Sequence, residues 1–218
     1  MRGVTDRDGR EQYAEVIDLG FRWDIGAPLP HVVSDGFRAL VVCRLGEPDP
    51  NWDGTYINVI SPRDEREDTW AVIEFRGCAS LRIGAPNDEA IDGHPLAGSG
   101  LRGYHAHEVH NSAWLDEHIR MNSVHPNHSD DQWRLQRHYL LAFHDEMVEV
   151  LAHSIEAHVV RGSLRSLLVD SADALIGPTH RDARAELAHR LAAIRQSAED
   201  AGLDPSVVDE AIEAACRR

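Results

Sequence analysis

Histidine residues are concentrated in the second half of this 218-residue chain, where together with neighbouring carboxylates they could move protons or hold a metal. Residues 103–128 alone contain six of the 14 histidines. An imidazole beside a carboxylate can act as a general base, and groups of both bind divalent metals such as zinc, manganese or iron. The chain has no HExxH motif, and residues 103–160 contain no ExxH pair, so the signal comes from composition and spacing.

The stretch 131–160 reads as one long amphipathic helix. It begins at SDDQ, which has the capping-box pattern, and continues into an apolar-rich run. At about 100° per residue, His144 falls within the apolar face, and His138, Asp145 and Glu149 lie along its edge. We therefore expect His144 to be a general base or a ligand, with Asp145 or Glu149 orienting it. A solvated acidic edge with one hydrogen-bonded core histidine is the alternative.

A second helix, predicted over 101–121, would carry further candidates. Its apolar side includes Glu108, where an unpaired carboxylate is costly. If the two helices pack antiparallel, Glu108 or His107 could meet His144 and Asp145, as in the sites of helical bundles.

The HPNH sequence between these helices could add two more histidines, although a simple turn leading into the next helix is the alternative. The predicted catalytic residues are His144, Asp145, Glu149 and Glu108, and the predicted metal ligands are His107, His138, His125 and His128.

These side chains need a scaffold, and the first half of the chain is rich in strand-forming residues. Runs of Val, Ile, Phe and Tyr predict strands at 37–45, 54–61, 69–77 and 79–84. Pro, Asp, Asn and Gly separate them, and the spacing suits an antiparallel meander. The segment 21–33 contains two prolines, so it could add an edge strand only.

The remaining segments complete the expected organisation. The Gly- and Pro-rich segment 85–100 predicts a long loop with a helical turn at Asp88–Ile91, and such loops often carry function. A third helix is predicted over 163–176, and the tail beyond it reads as a helical hairpin. The N-terminus predicts a frayed segment with one short helix near Glu11–Asp18.

The expected fold class is therefore α+β: an N-terminal antiparallel sheet, as a meander or roll, followed by a helical half and a C-terminal helical hairpin. This divides the chain into a frayed segment at 1–20, a core domain at 21–160 and a helical extension at 161–218.

Composition excludes several kinds of function. The net charge is −15, which disfavours nucleic-acid binding. All 22 basic residues are arginine, so mechanisms that need a catalytic lysine are excluded. Neither a membrane span nor a secretory signal is recognisable, so a cytoplasmic location is expected. Three cysteines without a CxxC pair argue against disulfides, and Cys43 and Cys78 read as buried apolar residues.

Three stretches together resemble an uncharacterised family of bacterial proteins. They are GAPNDEAIDGHPLAGSGL, EVHNSAWLDEHIRMNSVHPNH and RHYLLAFHDEMVE, and the resemblance covers roughly residues 20–160. No activity is established for that family, so the resemblance implies one module and no function. The tail is similar in character to helical segments of bacterial antitoxins.

Two kinds of function remain open. The first is a binding or regulatory protein that acts through its β module and its helical tail. It would be a homodimer or bind a protein partner through the C-terminal helices, and its histidines could sense pH. The alternative is an enzyme with a His/carboxylate site, such as a metal-dependent hydrolase or lyase.

Overall fold

Two antiparallel β-sheets form most of the protein. A computed structural model describes residues 9–26, 28–46 and 67–177. Its described residues up to Leu175 belong to one compact unit. The architecture is mixed α+β, which confirms the predicted class at that level. No helix in these ranges is both long and apolar enough to cross a membrane.

The elements of the described ranges are as follows. The strands are β1 Tyr13–Ile17, β2 His31–Ser34, β3 Arg38–Arg44, β4 Asp68–Arg76, β5 Ser80–Gly84, β6 Ala106–His110, β7 Arg137–Ala142, β8 Met147–Ala152 and β9 Ser154–Gly162. The helices are a 3-10 helix at Asp88–Gly93 and the α-helices α1 Ala113–Asn122, α2 Asp130–Trp133 and α3 Leu164–Ile176.

The first sheet has the strand order β1-β6-β7-β8-β5, and the second has the order β2-β3-β4-β9. The main core lies between them. Alternate residues of β7 and β8 pack there against the second sheet, because successive side chains of a strand point to opposite faces. The buried residues of this core include Tyr139, Leu141, Val148, Val150, Val41, Ile73 and Phe75.

The other face of the first sheet, which we call the outer face, carries the polar residues of interest. His107, Leu140, Glu149 and Arg82 lie in one row across β6, β7, β8 and β5, since each is the register partner of the next. Register partners in antiparallel strands point to the same face. Leu140 and Met147 of this face pack with Leu96 of the segment before β6, so the outer face is covered there.

The predicted helix over 131–160 is wrong. The Ser129 side chain does accept a hydrogen bond from the Gln132 amide, but the helix that it caps ends at Trp133. Strands β7, β8 and β9 follow. Both faces of β7 and β8 are buried, so the polar–apolar alternation that marks a strand is missing.

The predicted helix over 101–121 is half wrong. Its first part contains β6, and the left-handed Asn111 (φ 52°) ends that strand before α1 begins. Since β6 to β9 are strands, the prediction of a helical second half fails. The short helix near Glu11–Asp18 is also wrong, because β1 pairs there with β6.

Other predictions fare better. β3, β4 and β5 occupy three of the predicted strand segments, but β5 pairs with β8 in the first sheet, so they do not form one meander. β2, at the end of the proline-containing segment, is an edge strand. The helical turn in 85–100 and the helix α3 are confirmed. The predicted strand 54–61 and the C-terminal hairpin lie outside the described residues.

Candidate functional site

A carboxylate and a guanidinium are joined at the outer face of the first sheet. Glu149 on β8 is buried, and its two oxygens accept hydrogen bonds from Nε and Nη2 of Arg82 on β5, each at 2.7 Å. The strands bring the two together because Arg82 and Glu149 are register partners. This bidentate geometry fixes the plane of the guanidinium, whose side chain is half exposed.

His138 and Ser112 extend this pair into a chain of hydrogen bonds. Nε2 of His138 lies 2.8 Å from Oε2 of Glu149, and its Nδ1 lies 2.8 Å from Oγ of Ser112. A carboxylate can only accept, so Nε2 carries the proton and donates it. Nδ1 then accepts the Ser112 hydroxyl, whose oxygen accepts from the Leu115 amide. The order of donation is therefore Ser112 to His138 to Glu149.

These contacts hold Glu149 ionised and His138 neutral. Burial by itself would raise the pKa of Glu149, but the hydrogen bonds from His138 and Arg82 lower it to about 2. Burial lowers the pKa of His138, although Glu149 opposes that shift. A neutral imidazole that donates one N–H is consistent with both directions.

Helix α1 supplies an aromatic wall beside the pair. The Trp114 ring lies 4.2 Å beneath the Arg82 guanidinium carbon and 5.0 Å from the His138 ring. The start of the helix is held by Ser112, its N-cap, and by Gln12, whose side chain accepts the Ala113 amide. Arg82 is thus fixed by Glu149 on one side and by an indole on another.

An open pocket of about 620 Å³ lies next to Arg82. Its floor includes Arg82, Glu149 and Met147, and its wall is the segment from Gly84 to Pro95. His94 belongs to this wall. Its Nδ1 accepts the Leu96 amide, which leaves its other ring nitrogen as an N–H donor. Burial is the main reason that the pKa of His94 is lowered.

A second polar cluster joins the pocket wall to the hairpin between β7 and β8. Tyr104 donates a short hydrogen bond to Asp88, and its hydroxyl lies 2.9 Å from Nδ1 of His144. Nδ1 of His144 is 3.0 Å from Oδ2 of Asp88. The Tyr104 backbone is left-handed (φ 59°), which is uncommon for a bulky residue and is found at constrained functional positions.

The charges of this second cluster follow from the same contacts. The hydrogen bond from Tyr104 is the main cause of a lowered pKa at Asp88. Burial and the neighbouring Asp88 raise the pKa of Tyr104 to about 12. The His144 side chain is 39% exposed. With Nδ1–H directed at Asp88, Nε2 is left as a proton acceptor.

The predicted catalytic residues do not form one group. Glu149 lies in the buried chain, while His144 belongs to the second cluster, where Asp88 rather than Asp145 or Glu149 lies against Nδ1. The Asp145 side chain is 82% exposed and lies 3.9 Å from Nε2 of His144. Glu108 forms an ion pair with Arg137.

The predicted metal ligands are likewise separated. His107 is fully buried, and its two ring nitrogens contact the Arg102 amide and the Leu140 carbonyl. Both ring nitrogens of His138 are used in hydrogen bonds, to Ser112 and to Glu149. His128 contacts Asp130, and His125 lies in a turn, as the turn interpretation of HPNH predicts. Among the described residues, no three His, Cys, Asp or Glu side chains are grouped to hold a metal.

Sequence reasoning missed Arg82, His94, Ser112, Asp88 and Tyr104. One signal was available, since Arg82 is a charge within the otherwise apolar strand sequence SLRIG. A charge at such a position requires a partner on the next strand. The other contacts join residues 16 to 56 positions apart, which no local pattern reveals.

Comparisons with known proteins give no match: no family model fits the chain, and neither curated proteins nor solved structures resemble it. The site must therefore be interpreted from its own geometry.

Proposed function

We propose that this chain is a small-molecule-binding protein whose site is the pocket beside Arg82, and that its ligand carries a carboxylate. The observation that carries the proposal is the fixed guanidinium at the floor of an open pocket. A volume of about 620 Å³ falls in the range of small-molecule sites.

Among the described side chains that line the pocket, the polar groups with N–H left over are Arg82 and His94. Glu149 already accepts three hydrogen bonds, from Arg82 and His138. Arg82 uses Nε and Nη2 on Glu149, so Nη1 keeps its N–H groups without a partner in the described part of the chain. His94 adds one N–H. A carboxylate, which only accepts, complements two such donors.

The pocket is also preorganised. The guanidinium is held by Glu149 and Trp114 before any ligand arrives, so binding does not require the side chain to be ordered. Holding a polar group in its bound position lowers the entropic cost of association.

The experiment is an NMR titration with succinate and with succinamide, its uncharged analogue. We expect succinate to shift the Arg82 Nε–H and His94 resonances, and succinamide to leave them in place. Arg82→Lys keeps the charge but loses the planar set of guanidinium N–H donors. The affinity for succinate should therefore fall about tenfold, the equivalent of one hydrogen bond.

Arg76→Lys is the matched control, because Arg76 is also half exposed and paired with glutamates, but lies on the second sheet. Its affinity for succinate should equal that of the unchanged protein. Succinate binding that is the same in Arg82→Lys, or no shift at Arg82 with either compound, would contradict the proposal.

A second candidate function is supported by the geometry of His144. A partly exposed imidazole with Asp88 on Nδ1, and with only Asp145 near Nε2 among the described residues, is arranged as a general base, as in a hydrolase or lyase. The test is hydrolysis of a p-nitrophenyl ester, with His144→Gln and the control His110→Gln. Loss of a protein-dependent rate in His144→Gln alone supports an enzyme, and equal rates in all three proteins oppose it.

Self-association through the residues beyond Gly177 is a separate part of the proposal. Sedimentation of the full chain and of residues 1–177 tests it directly. A lower oligomeric state for the shortened chain supports the proposal, and an unchanged state opposes it.

A further inference from the structure

A second pocket, of about 410 Å³, lies at the opposite end of β5 from the Arg82 site. Its lining residues are Ala79, Gln132, Trp133, Leu135, Gln136 and His153. None of these six is an Asp, Glu or Arg, so the lining carries aromatic, apolar and amide groups. This composition does not match an ionic ligand, which the pocket beside Arg82 could accommodate.

Two ring systems in this lining are held in place from behind. The Trp133 indole stacks on the His118 imidazole, with centroids 5.8 Å apart and planes at 24°. The His153 ring lies against Gly77, where an added Cβ would be 2.4 Å from Nδ1. Gly77 also has a left-handed backbone (φ 65°), which favours glycine, so the imidazole lies directly against the main chain there. The two rings therefore each have a neighbour on one side, His118 for Trp133 and the Gly77 backbone for the exposed His153.

The amides of the lining have unused hydrogen-bonding capacity. Oε1 of Gln136 is buried and has no partner among the described residues. A buried acceptor without a partner is energetically unfavourable. Rotation of the terminal amide exchanges its oxygen and nitrogen, so Gln136 can offer either a donor or an acceptor. Gln132, which is exposed, adds a second amide at the rim.

We propose that this pocket binds a neutral, planar nitrogen heterocycle that has both donors and acceptors on its edge, such as a purine base. The indole and imidazole supply surfaces for stacking, and the side-chain amides hydrogen-bond to the donors and acceptors on the edge of the ring. The exposed side chain of Leu135 adds an apolar contact at the mouth. This assignment does not rest on the carboxylate site.

The probes are adenine and naphthalene, which has a similar flat shape but no hydrogen-bonding edge. In an NMR titration, adenine should shift the Trp133 indole N–H and the side-chain amides of Gln132 and Gln136. Naphthalene should bind at least tenfold more weakly, because it leaves Gln136 unpaired.

Two variants locate the binding. Trp133→Leu should abolish the response to adenine, and Gln136→Leu should weaken adenine binding without weakening that of naphthalene. Trp70→Phe is the control, since Trp70 is buried beneath α3 on the second sheet. Arg82→Lys should bind adenine normally, which separates this pocket from the carboxylate site.

The proposal is overturned if adenine shifts none of these resonances, if naphthalene binds as tightly as adenine, or if Gln136→Leu binds adenine like the unchanged protein. Gln136→Leu changes only a half-buried side chain, so the result remains interpretable even if Trp133→Leu does not fold.

Discussion

Glu149 and Arg82 face each other across two antiparallel strands, and each oxygen of the buried carboxylate accepts one guanidinium N–H at 2.7 Å. The same carboxylate accepts the N–H of His138 from the strand on its other side. Three adjacent strands, β5, β8 and β7, are thus connected through one side chain. This arrangement positions the donor groups of the Arg82 pocket.

Replacing Glu149 should therefore lower stability. In Glu149→Gln the amide N–H faces either Nε of Arg82 at the Oε1 position or both Nη2 of Arg82 and the buried Nε2 of His138 at the Oε2 position, so at least one donor loses its acceptor. We expect the free energy of unfolding to fall by about 2 kcal/mol, measured by urea denaturation.

Glu156→Gln is the control for this change. Glu156 pairs with Arg76 in an exposed setting on β9, where such pairs contribute below about 1 kcal/mol. Equal losses in both variants would show that Glu149 is not the central group of the network.

Stability should also fall on acidification, because several histidines are buried in their neutral form. Burial lowers the pKa of His107 to about 4, against about 6.5 in an unfolded chain. The contribution of neutral His107 to the free energy of unfolding is complete above pH 6.5. It is lost as the pH falls toward 4, because the unfolded state binds the proton more readily. Glu149, whose pKa is lowered from 4.5 to about 2, removes further stability as the pH falls through that interval.

Urea denaturation from pH 8 to 4 measures this slope, and NMR of the His107 ring should show no titration until the pH approaches 4. His107→Gln, which keeps an acceptor for the Arg102 amide, should have a smaller slope. A His107 ring that titrates near pH 6.5 would refute the prediction.

Two glycines of the segment before β6 allow the cost of a left-handed backbone to be compared with the cost of a steric clash. Gly98 (φ 79°) and Gly100 (φ 96°) are both left-handed, but only Gly100 is crowded, with its added Cβ 2.1 Å from the Ala14 carbonyl oxygen. Gly98→Ala should cost about 1–2 kcal/mol for the left-handed backbone alone. Gly100→Ala should cost clearly more in the same denaturation assay, and equal costs would mean that Ala14 can move away.

The thiol of Cys43 should be unreactive in the folded protein. The residue is fully buried, and burial raises its pKa to about 12, so the thiolate that attacks a disulfide reagent is scarce. In a background that carries both Cys78→Ser and Cys216→Ser, so that Cys43 is the one remaining thiol, Ellman's reagent should modify Cys43 only after denaturation. Adding Val124→Cys, at a position that is 88% exposed, supplies a fast control, and modification of Cys43 at that rate would contradict the structure.

The strands β3, β4 and β5 were predictable, because Val, Ile and aromatic residues lie between clear turn signals there. The second half was not, because β7 and β8 contain Leu, Met, Glu and Ala, residues that suit helices, and both of their faces are buried. A helical projection placed His144 beside Glu149. In the structure, His144 lies in the turn between β7 and β8, while Glu149 points from β8 toward Arg82.

By itself, the sequence determined the mixed α+β class, the burial of Cys43 and Cys78, the helix α3 and a concentration of histidines after residue 87. These follow from local composition and periodicity, which act within one element. Only the tertiary structure decided that Glu149 meets Arg82 and His138, and that His144 meets Asp88 and Tyr104. The reason is physical: those contacts depend on strand order and register, which arise from packing between segments far apart in the chain.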